Sequence, residues 1–448
     1  MSAARAFSPW FDRSAPRTRA WPPPSALELA DVLRDVRSHD RYGHAVHACA
    51  AIVFAYFATL DQAPNGIATG ILLGTWFARV LRFPVLLTAL FRWPAFWFGF
   101  AWCAWSAITV AWSPMGAGAF KLLAAQRLLL VALAIWPVLD RARAIAWALV
   151  AAAATNSAVQ IAQKFGVLLP AQGATWRPAG LAALPAVASI CAGGAILVAT
   201  GLWCGASRAA RVAIGLAMML CAAGIALAAS RQPALALVLV LPTLVVALIA
   251  WRHARPREVA KAAVPLILLA IAAIALFGRD FLRYLSETPA GLSGAKGFSS
   301  IGLRLYWWRI CLEQVPAHPL VGSGVGSFRS IVAAHPETAR MITDTGISQG
   351  EVLAVHPHSS YVRALLEGGI VGLAALVGMM LALLRAAIGN ARRDAVCAGA
   401  AAALAFVFLA MTTECVELMN LAFAHAAVVA ALAALPRADG YSLPQRGV

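Results

Sequence analysis

The sequence predicts an all-α polytopic membrane protein with about 12 transmembrane helices and one large loop between helices 9 and 10. Only 12% of its 448 residues are charged, whereas soluble domains carry roughly 25%. Its apolar residues occur in long runs that a water-soluble core could not bury. Its basic residues cluster in every second short segment between the apolar runs, which is the pattern that the positive-inside rule describes for membrane proteins.

Each predicted span is an apolar run of about 20 residues, the length needed to cross a bilayer. The spans fall at about 43–60, 65–81, 93–113, 117–138, 143–163, 182–205, 210–229, 232–251, 260–278, 361–384, 394–412 and 417–436. Residues 1–42 hold seven arginines and no early apolar run, so we predict a cytoplasmic arm with a short surface helix from Ser25 to Arg37.

The charge of the connections sets the predicted orientation. Connections after even-numbered spans are basic, such as the one with Arg252, Arg255 and Arg257, whereas 61–65 and 412–415 have no basic residue. The positive-inside rule then places both termini in the cytoplasm. The predicted organisation is an arm (1–42), helices 1–9 (43–278), a large outer loop with helical segments (279–360), helices 10–12 (361–436) and a cytoplasmic tail (437–448).

The net charge of +17 is distributed over these connections, so it indicates topology and contact with membrane lipids, not nucleic acid. The eight cysteines form no CxxC pair, and the outer side has no Asp-x-Asp or His-x-x-x-His pattern. No metal site and no cofactor are therefore predicted. Glu414, Glu417 and Glu367 are the residual candidates for a metal ligand.

Among the basic residues on the outer side under this topology, three arginines are candidates for binding: Arg177 and Arg231, which lie in short connections, and Arg304 in the large loop. The positive-inside rule disfavours arginine in short outer loops, so these residues need an explanation. A guanidinium group matches phosphate oxygens bidentately and stays charged at any relevant pH. We therefore predict that the three arginines bind a diphosphate at the membrane surface, the alternative being that each one snorkels to lipid phosphates or pairs with a loop carboxylate.

His358 is the predicted general base, because it precedes the helix start at Tyr361 and imidazole accepts protons near neutral pH. His356 and Tyr361 are secondary candidates. His356 ranks below His358 because Pro357 favours an extended chain at His356. Arg127 is another, because it falls deep in the fourth span, where a charge is costly. Apolar residues at helical spacing predict an amphipathic helix with Trp308, Cys311, Leu312 and Val315 on one face.

Several of these segments, in this order, resemble the signature of the O-antigen ligase and polymerase family. They are Trp176 to Gly180, Ser230-Arg231, Arg304 to Trp308, His318 to Phe328, and His358-Ser359-Ser360-Tyr361 continuing through Leu366 to Gly372. The family often has His-Asn where this chain has His358-Ser359. The resemblance covers about residues 170–375 and extends to the helix count and the single large loop.

The resemblance implies a metal-independent glycosyltransferase of the bacterial inner membrane. It would take glycan from undecaprenyl diphosphate on the periplasmic side and pass it to an acceptor hydroxyl. Arg231 and Arg304 would bind the diphosphate and His358 would activate the acceptor. We favour an O-antigen ligase with lipid A-core as acceptor.

Two groups of alternatives stay open. Within the family, an O-antigen or exopolysaccharide polymerase shares the same local motifs, and a protein O-oligosaccharyltransferase often has a sizeable domain near its C-terminus that these 448 residues do not show. Outside it, a polyprenyl-linked glycan transporter would place several charges near the midplane, where Arg127 is the main one, and a non-catalytic scaffold would tolerate loss of His358. The sugar repeat, the oligomeric state and any regulatory partner do not follow from the sequence.

Overall fold

The computed structural model describes residues 26–88, 90–168, 177–182, 184–257, 300–345, 353 and 356–435. Within these ranges the regular structure is helical. The longer helices are α1 (Ala26–His39), α2 (Arg41–Phe57), α3 (Gln62–Arg82), α4 (Pro94–Ile108), α5 (Ala142–Lys164), α6 (Pro185–Trp203), α7 (Arg208–Ala228), α8 (Arg231–Ala250), α9 (Ser300–Gln314), α10 (Ser327–Ala334), α11 (Pro336–Thr345), α12 (Ser360–Ala391), α13 (Ala395–Ala410) and α14 (Asn420–Ala434).

The chain is an integral membrane protein by the length and composition of these helices. Among the described residues, six helical segments are long and apolar enough to span a bilayer. They are Pro94–Trp112, Gly116–Lys164, Pro185–Trp203, Arg208–Ala228, Gln232–Ala250 and Ser360–Ala391. The helices α13 and α14 are apolar but shorter. The predicted ninth span at 260–278 lies outside the described residues, so the total of twelve stays a prediction.

The predicted fourth span lies within the helical segment Gly116–Lys164, and the helix type changes along it. Between Gly116 and Arg141 the chain forms alternating short 3-10 and α segments, and Arg127 lies in the 3-10 segment Ala124–Leu128. The Arg127 side chain is exposed in the structure, with Nη1 donating to the Ala124 carbonyl at 2.5 Å. Arg127 therefore lies within a segment that is long and apolar enough to span a bilayer, and its predicted depth in the membrane stays a prediction.

The centre of the bundle is formed by α6 and α14, which are buried along almost their whole length. The small residues of α6 allow this close packing. A Cβ atom added at Gly201 would lie 2.3 Å from the Ala395 carbonyl oxygen of α13, and one added at Gly194 would lie 2.3 Å from His425 Nε2 of α14. Small residues let membrane helices approach at backbone distance.

The helices α9 and α10 form a separate apolar cluster with the beginning of α12. It contains Tyr306, Trp307, Ile310, Cys311, Phe328, Val332 and Leu366. Of the predicted face, Cys311 packs in this cluster, whereas Leu312 is 53% exposed and Val315 begins the 3-10 turn that follows α9; the contact of that face with the bilayer stays a prediction. The packing against α10 and α12 selects the stripe through Trp307 and Ile310 instead of the one through Trp308 and Leu312.

The loop that leads to α10 is hydrogen-bonded to α12 at a break in that helix. Gly369 has φ +63°, which frees the carbonyls of Leu366 and Glu367 from the helical ladder. The backbone N–H groups of Ser323 and Gly324 donate to these two carbonyls at 2.8 and 3.0 Å. The loop from Pro319 to Gly326 is thereby fixed against the first turns of α12, next to the residues described below.

Candidate active site

The candidate site lies where three helix ends meet at one end of the bundle. The last carbonyls of α13 accept hydrogen bonds from the starts of α8 and α12: Phe408 from the Tyr361 hydroxyl at 2.8 Å, Leu409 from Gln232 Nε2 at 3.0 Å, and Met411 from the Ser360 backbone N–H at 2.9 Å. The chain positions next to Arg231 and His358 are therefore anchored to the same turn of α13.

His358 is held in a defined orientation before α12. Its φ is +53°, a conformation that is uncommon outside glycine, and Ser359 caps α12 by accepting from the Val362 N–H at 3.3 Å. The imidazole stacks on the Trp307 ring, with centroids 5.4 Å apart and 12° between the planes. Trp308 Nε1 donates to the Pro357 carbonyl at 2.8 Å, which ties this turn to α9.

Glu414 joins His358 to Arg304. One carboxylate oxygen, Oε1, accepts from Arg304 Nη2 at 2.8 Å, and the other, Oε2, lies 3.2 Å from His358 Nδ1. The carboxylate is nearly buried, whereas the Arg304 and His358 side chains are 23% and 29% exposed. Since an ionised carboxylate only accepts, Nδ1 is the donor of this hydrogen bond, and Nε2 is the ring nitrogen not engaged by Glu414.

His356 lies beside His358, with ring centroids 4.5 Å apart. Its Nδ1 accepts a hydrogen bond from the His358 backbone N–H at 3.2 Å, so the ring supports the unusual backbone of its neighbour. Burial, with smaller contributions from the charges of His358, Arg363 and Arg304, lowers the pKa of His356 to about 3. A neutral His356 acts here as a hydrogen-bond acceptor and not as a cation.

A buried ionic cluster lies at the first turns of α12. Arg363 contacts two carboxylates, with Nε 3.0 Å from Glu367 Oε2 and Nη1 3.1 Å from Glu417 Oε1. The Ser360 hydroxyl donates to Glu417, and the Gly326 N–H donates to Glu367 Oε1 at 2.9 Å. All three charged side chains are less than 10% exposed. Charges in such apolar surroundings persist when they are paired, and this cluster fixes the start of α12.

Arg177 is placed at the corner between α7 and α8. Its Nε donates to the Ala228 carbonyl at 3.0 Å, and its Nη2 lies 3.5 Å from the Ala229 carbonyl and from Ser230 Oγ. These contacts satisfy carbonyls at the end of α7, where Ala229 has a left-handed backbone. Arg177 thus orients the turn that precedes Arg231, and its predicted contact with a diphosphate stays a prediction.

The other predicted residues divide into two groups. The Arg231 backbone begins α8, but its side chain lies outside the described residues, as does Trp176. Tyr361 donates its hydroxyl to the Phe408 carbonyl and so has a structural contact. Arg127 has no described contact with Arg304 or His358; it lines two cavities that are considered below.

Sequence reasoning missed the role of Glu414, which it treated only as a residual metal ligand. The available signal was an acidic pair, Glu414 and Glu417, in a short outer connection between two apolar runs. Such carboxylates need cationic partners, and Arg304 and Arg363 supply them. Across the described ranges, no group of three His, Cys, Asp or Glu residues is arranged to hold a metal ion.

The comparison with known families agrees with this site. Residues 214–377 match the family model described as O-antigen ligase, a stretch that includes Arg231, Arg304 and His358. The resemblance stated from the motifs is thereby confirmed over this stretch, which is similar to a family of glycosyltransferase-like ligases and polymerases. No curated protein matches the chain.

Proposed function

We propose that this protein is an O-antigen ligase of the bacterial inner membrane, with both termini in the cytoplasm. It transfers glycan from undecaprenyl diphosphate to a hydroxyl of lipid A-core on the periplasmic side. The family match supports the class of reaction. The observation that carries the proposal is the Glu414 carboxylate, which hydrogen-bonds both His358 Nδ1 and Arg304 Nη2 and so combines a base with a cation in one unit.

The base side of the reaction follows from the His358 tautomer. With Nδ1–H directed at Glu414, the Nε2 lone pair is available to take the proton of an acceptor hydroxyl. The acceptor oxygen then forms the new glycosidic bond to the anomeric carbon as the bond from that carbon to the phosphate oxygen breaks. Glu414 stabilises the imidazolium that forms, as a carboxylate does for a catalytic histidine.

The cation side stabilises the leaving group. The diphosphate departs with the bonding electron pair, so its charge grows in the transition state, and nearby guanidinium groups reduce the barrier. Arg304 has one N–H group committed to Glu414, which leaves other donors of the fork for phosphate oxygens. Arg231 begins α8 at the same helix junction, and Arg177 orients its turn. No metal ion is required in this proposal.

The proposal is tested with purified full-length protein, undecaprenyl-diphosphate-linked glycan and lipid A-core, with and without chelator. We expect transfer that is insensitive to the chelator and that is lost in His358→Ala, Arg304→Ala and Arg231→Ala. Arg208→Ala is the matched control, because Arg208 is exposed at the start of α7, on a connection predicted to be cytoplasmic.

Two outcomes would revise the proposal. Elongation of the lipid-linked glycan without transfer to lipid A-core would identify a polymerase of the same family instead of a ligase. Full activity of His358→Ala, with normal amounts of protein in the membrane, would remove the general base and leave a non-catalytic role.

A further inference from the structure

Two cavities of opposite character meet at Arg127. One has a volume of about 320 Å³ and a polar lining that includes Lys121, Arg127, His356, Gln62 and Asn420. The other has a volume of about 410 Å³ and is apolar except for Arg127, Gln126 and Glu417. Since Arg127 belongs to both linings, a single elongated molecule can contact both cavities.

Lys121 and Arg127, two cations of the polar cavity, have no carboxylate partner among the residues that the structure describes. Among the described ion pairs, neither Lys121 nor Arg127 occurs, and the described hydrogen bond of Arg127 goes to the Ala124 carbonyl of its own turn. Both residues lie in a segment that is otherwise apolar enough to span a membrane. Unpaired cations in such a segment are costly and mark binding sites for anions.

The lining of the apolar cavity suits a hydrocarbon chain. It is lined along α14 from Phe423 to Ala430 and along α12 from Leu376 to Leu383, which at 1.5 Å per residue corresponds to about 10 Å on each helix. Aromatic side chains of α4, including Phe96 and Phe100, close the other side. A sugar would leave its hydroxyl groups without partners here, whereas an alkyl or isoprenoid chain would not.

We infer that Lys121 and Arg127 form a second anion subsite, which binds the phosphate of a lipid whose hydrocarbon chain occupies the apolar cavity. Among the described side chains, the linings contain neither Arg177 nor Arg304 nor His358, three residues that the proposed reaction uses. The subsite adjoins them through His356, whose ring is 4.5 Å from that of His358. The inference goes beyond the proposed transfer reaction, because lipid binding requires neither an acceptor nor the base.

Two sources supply this ligand chemistry: an isoprenoid phosphate and a bulk phospholipid. The test measures equilibrium binding of radiolabelled undecaprenyl phosphate and of radiolabelled phosphatidylglycerol to the purified full-length protein in detergent. We expect the double variant Lys121→Gln/Arg127→Gln to raise the Kd of at least one lipid about tenfold or more, the factor for a lost charge-assisted contact. The lipid with the larger loss identifies the source.

The matched control is Arg143→Gln/Arg208→Gln, which removes two exposed arginines outside both cavities. A third variant, Ala132→Phe, places a ring in the apolar cavity and is expected to weaken binding of the same lipid while leaving both cations in place. Monodisperse elution and an unchanged Tm show that each variant is folded.

Binding of both lipids within twofold of wild type in the Lys121→Gln/Arg127→Gln protein would overturn the inference, as would an equal loss in the control. The assay contains no acceptor, so it stays informative if the transferase experiment gives no product. Conversely, intact lipid binding in a His358→Ala protein is expected whether or not that variant transfers glycan.

Discussion

The Glu367 carboxylate accepts a hydrogen bond of 2.9 Å from the backbone N–H of Gly326, which joins the loop from Pro319 to Gly326 to α12. Gly322, Gly324 and Gly326 all have positive φ, at +71°, +88° and +77°. They let the loop run against α12, so that Glu367 receives an N–H donor from the loop as well as the Arg363 guanidinium.

The first prediction concerns this loop. Gly322→Ala should lower the free energy of unfolding by at least about 1–3 kcal/mol, the cost of a left-handed alanine, because its Cβ would also lie 2.5 Å from the Glu367 backbone. Gly326→Ala should cost less, since its Cβ meets the flexible Met115 side chain. Thermal unfolding in detergent measures both. Gly389→Ala is the control, with open space at its Cβ and an expected change of zero or a small gain. Equal Tm values for Gly322→Ala and Gly389→Ala would contradict this explanation.

The second prediction concerns the buried cluster of α12. Arg363→Met leaves Glu367 and Glu417 buried without their cation, and we expect a loss of about 3–5 kcal/mol in stability. Arg309→Met is the matched control, because Arg309 is 51% exposed and pairs with Glu313 and Glu337 at the surface, where such contacts contribute at most about 1 kcal/mol. Denaturation of both variants in the same detergent compares them. A smaller loss for Arg363→Met than for Arg309→Met would exclude a stabilising role for the cluster.

The third prediction concerns Glu414 as the group that positions His358. His358→Ala should lower kcat by about 10²–10⁴-fold, the usual contribution of a general base. Glu414→Gln keeps the shape but not the charge, and its kcat should fall between that of His358→Ala and that of wild type. In the His358→Ala background, Glu414→Gln should have little further effect on kcat, because the two residues act as a unit. Independent, multiplicative losses in the double variant would show that Glu414 acts only through Arg304.

The fourth prediction follows from His356, whose pKa burial lowers to about 3. An unfolded histidine has a pKa near 6.5, so the unfolded state gains a proton before the folded state does. The contribution of His356 to stability is therefore complete above pH 6.5 and decreases as the pH falls towards 3, by at most about 1.4 kcal/mol per pH unit. His356→Asn should flatten the pH dependence of Tm between pH 6.5 and 4 relative to wild type. Parallel curves for the two proteins would rule out this titration.

The sequence predicted the helices well where one apolar run forms one helix. The predicted spans at 143–163 and 210–229 correspond to α5 (Ala142–Lys164) and α7 (Arg208–Ala228). In the segment around Arg127 it did not indicate the 3-10 turns, because hydropathy reports apolar content and not the helix type. The sequence also did not indicate the positive φ of Gly369. That conformation depends on hydrogen bonds with a loop about fifty residues earlier in the chain.

The sequence predicted which residues belong to the candidate site but not which residues they contact. Topology selected Arg304 and His358, and the structure brings them to one carboxylate. That carboxylate, Glu414, is 56 residues beyond His358 in another connection, and no local spacing links the two. Such pairings depend on tertiary packing, which a single sequence does not display.

The contacts of Arg177 bear on how inactive variants should be interpreted. Its guanidinium satisfies carbonyls at the α7–α8 corner, so Arg177→Ala removes a brace from the turn that presents Arg231. Loss of activity in that variant would look like loss of a ligand contact even if Arg177 never touches the donor lipid. An arginine near the site of an enzyme is thus not by itself evidence for anion binding. Some arginines contact the substrate, and others stabilise the backbone that positions those arginines.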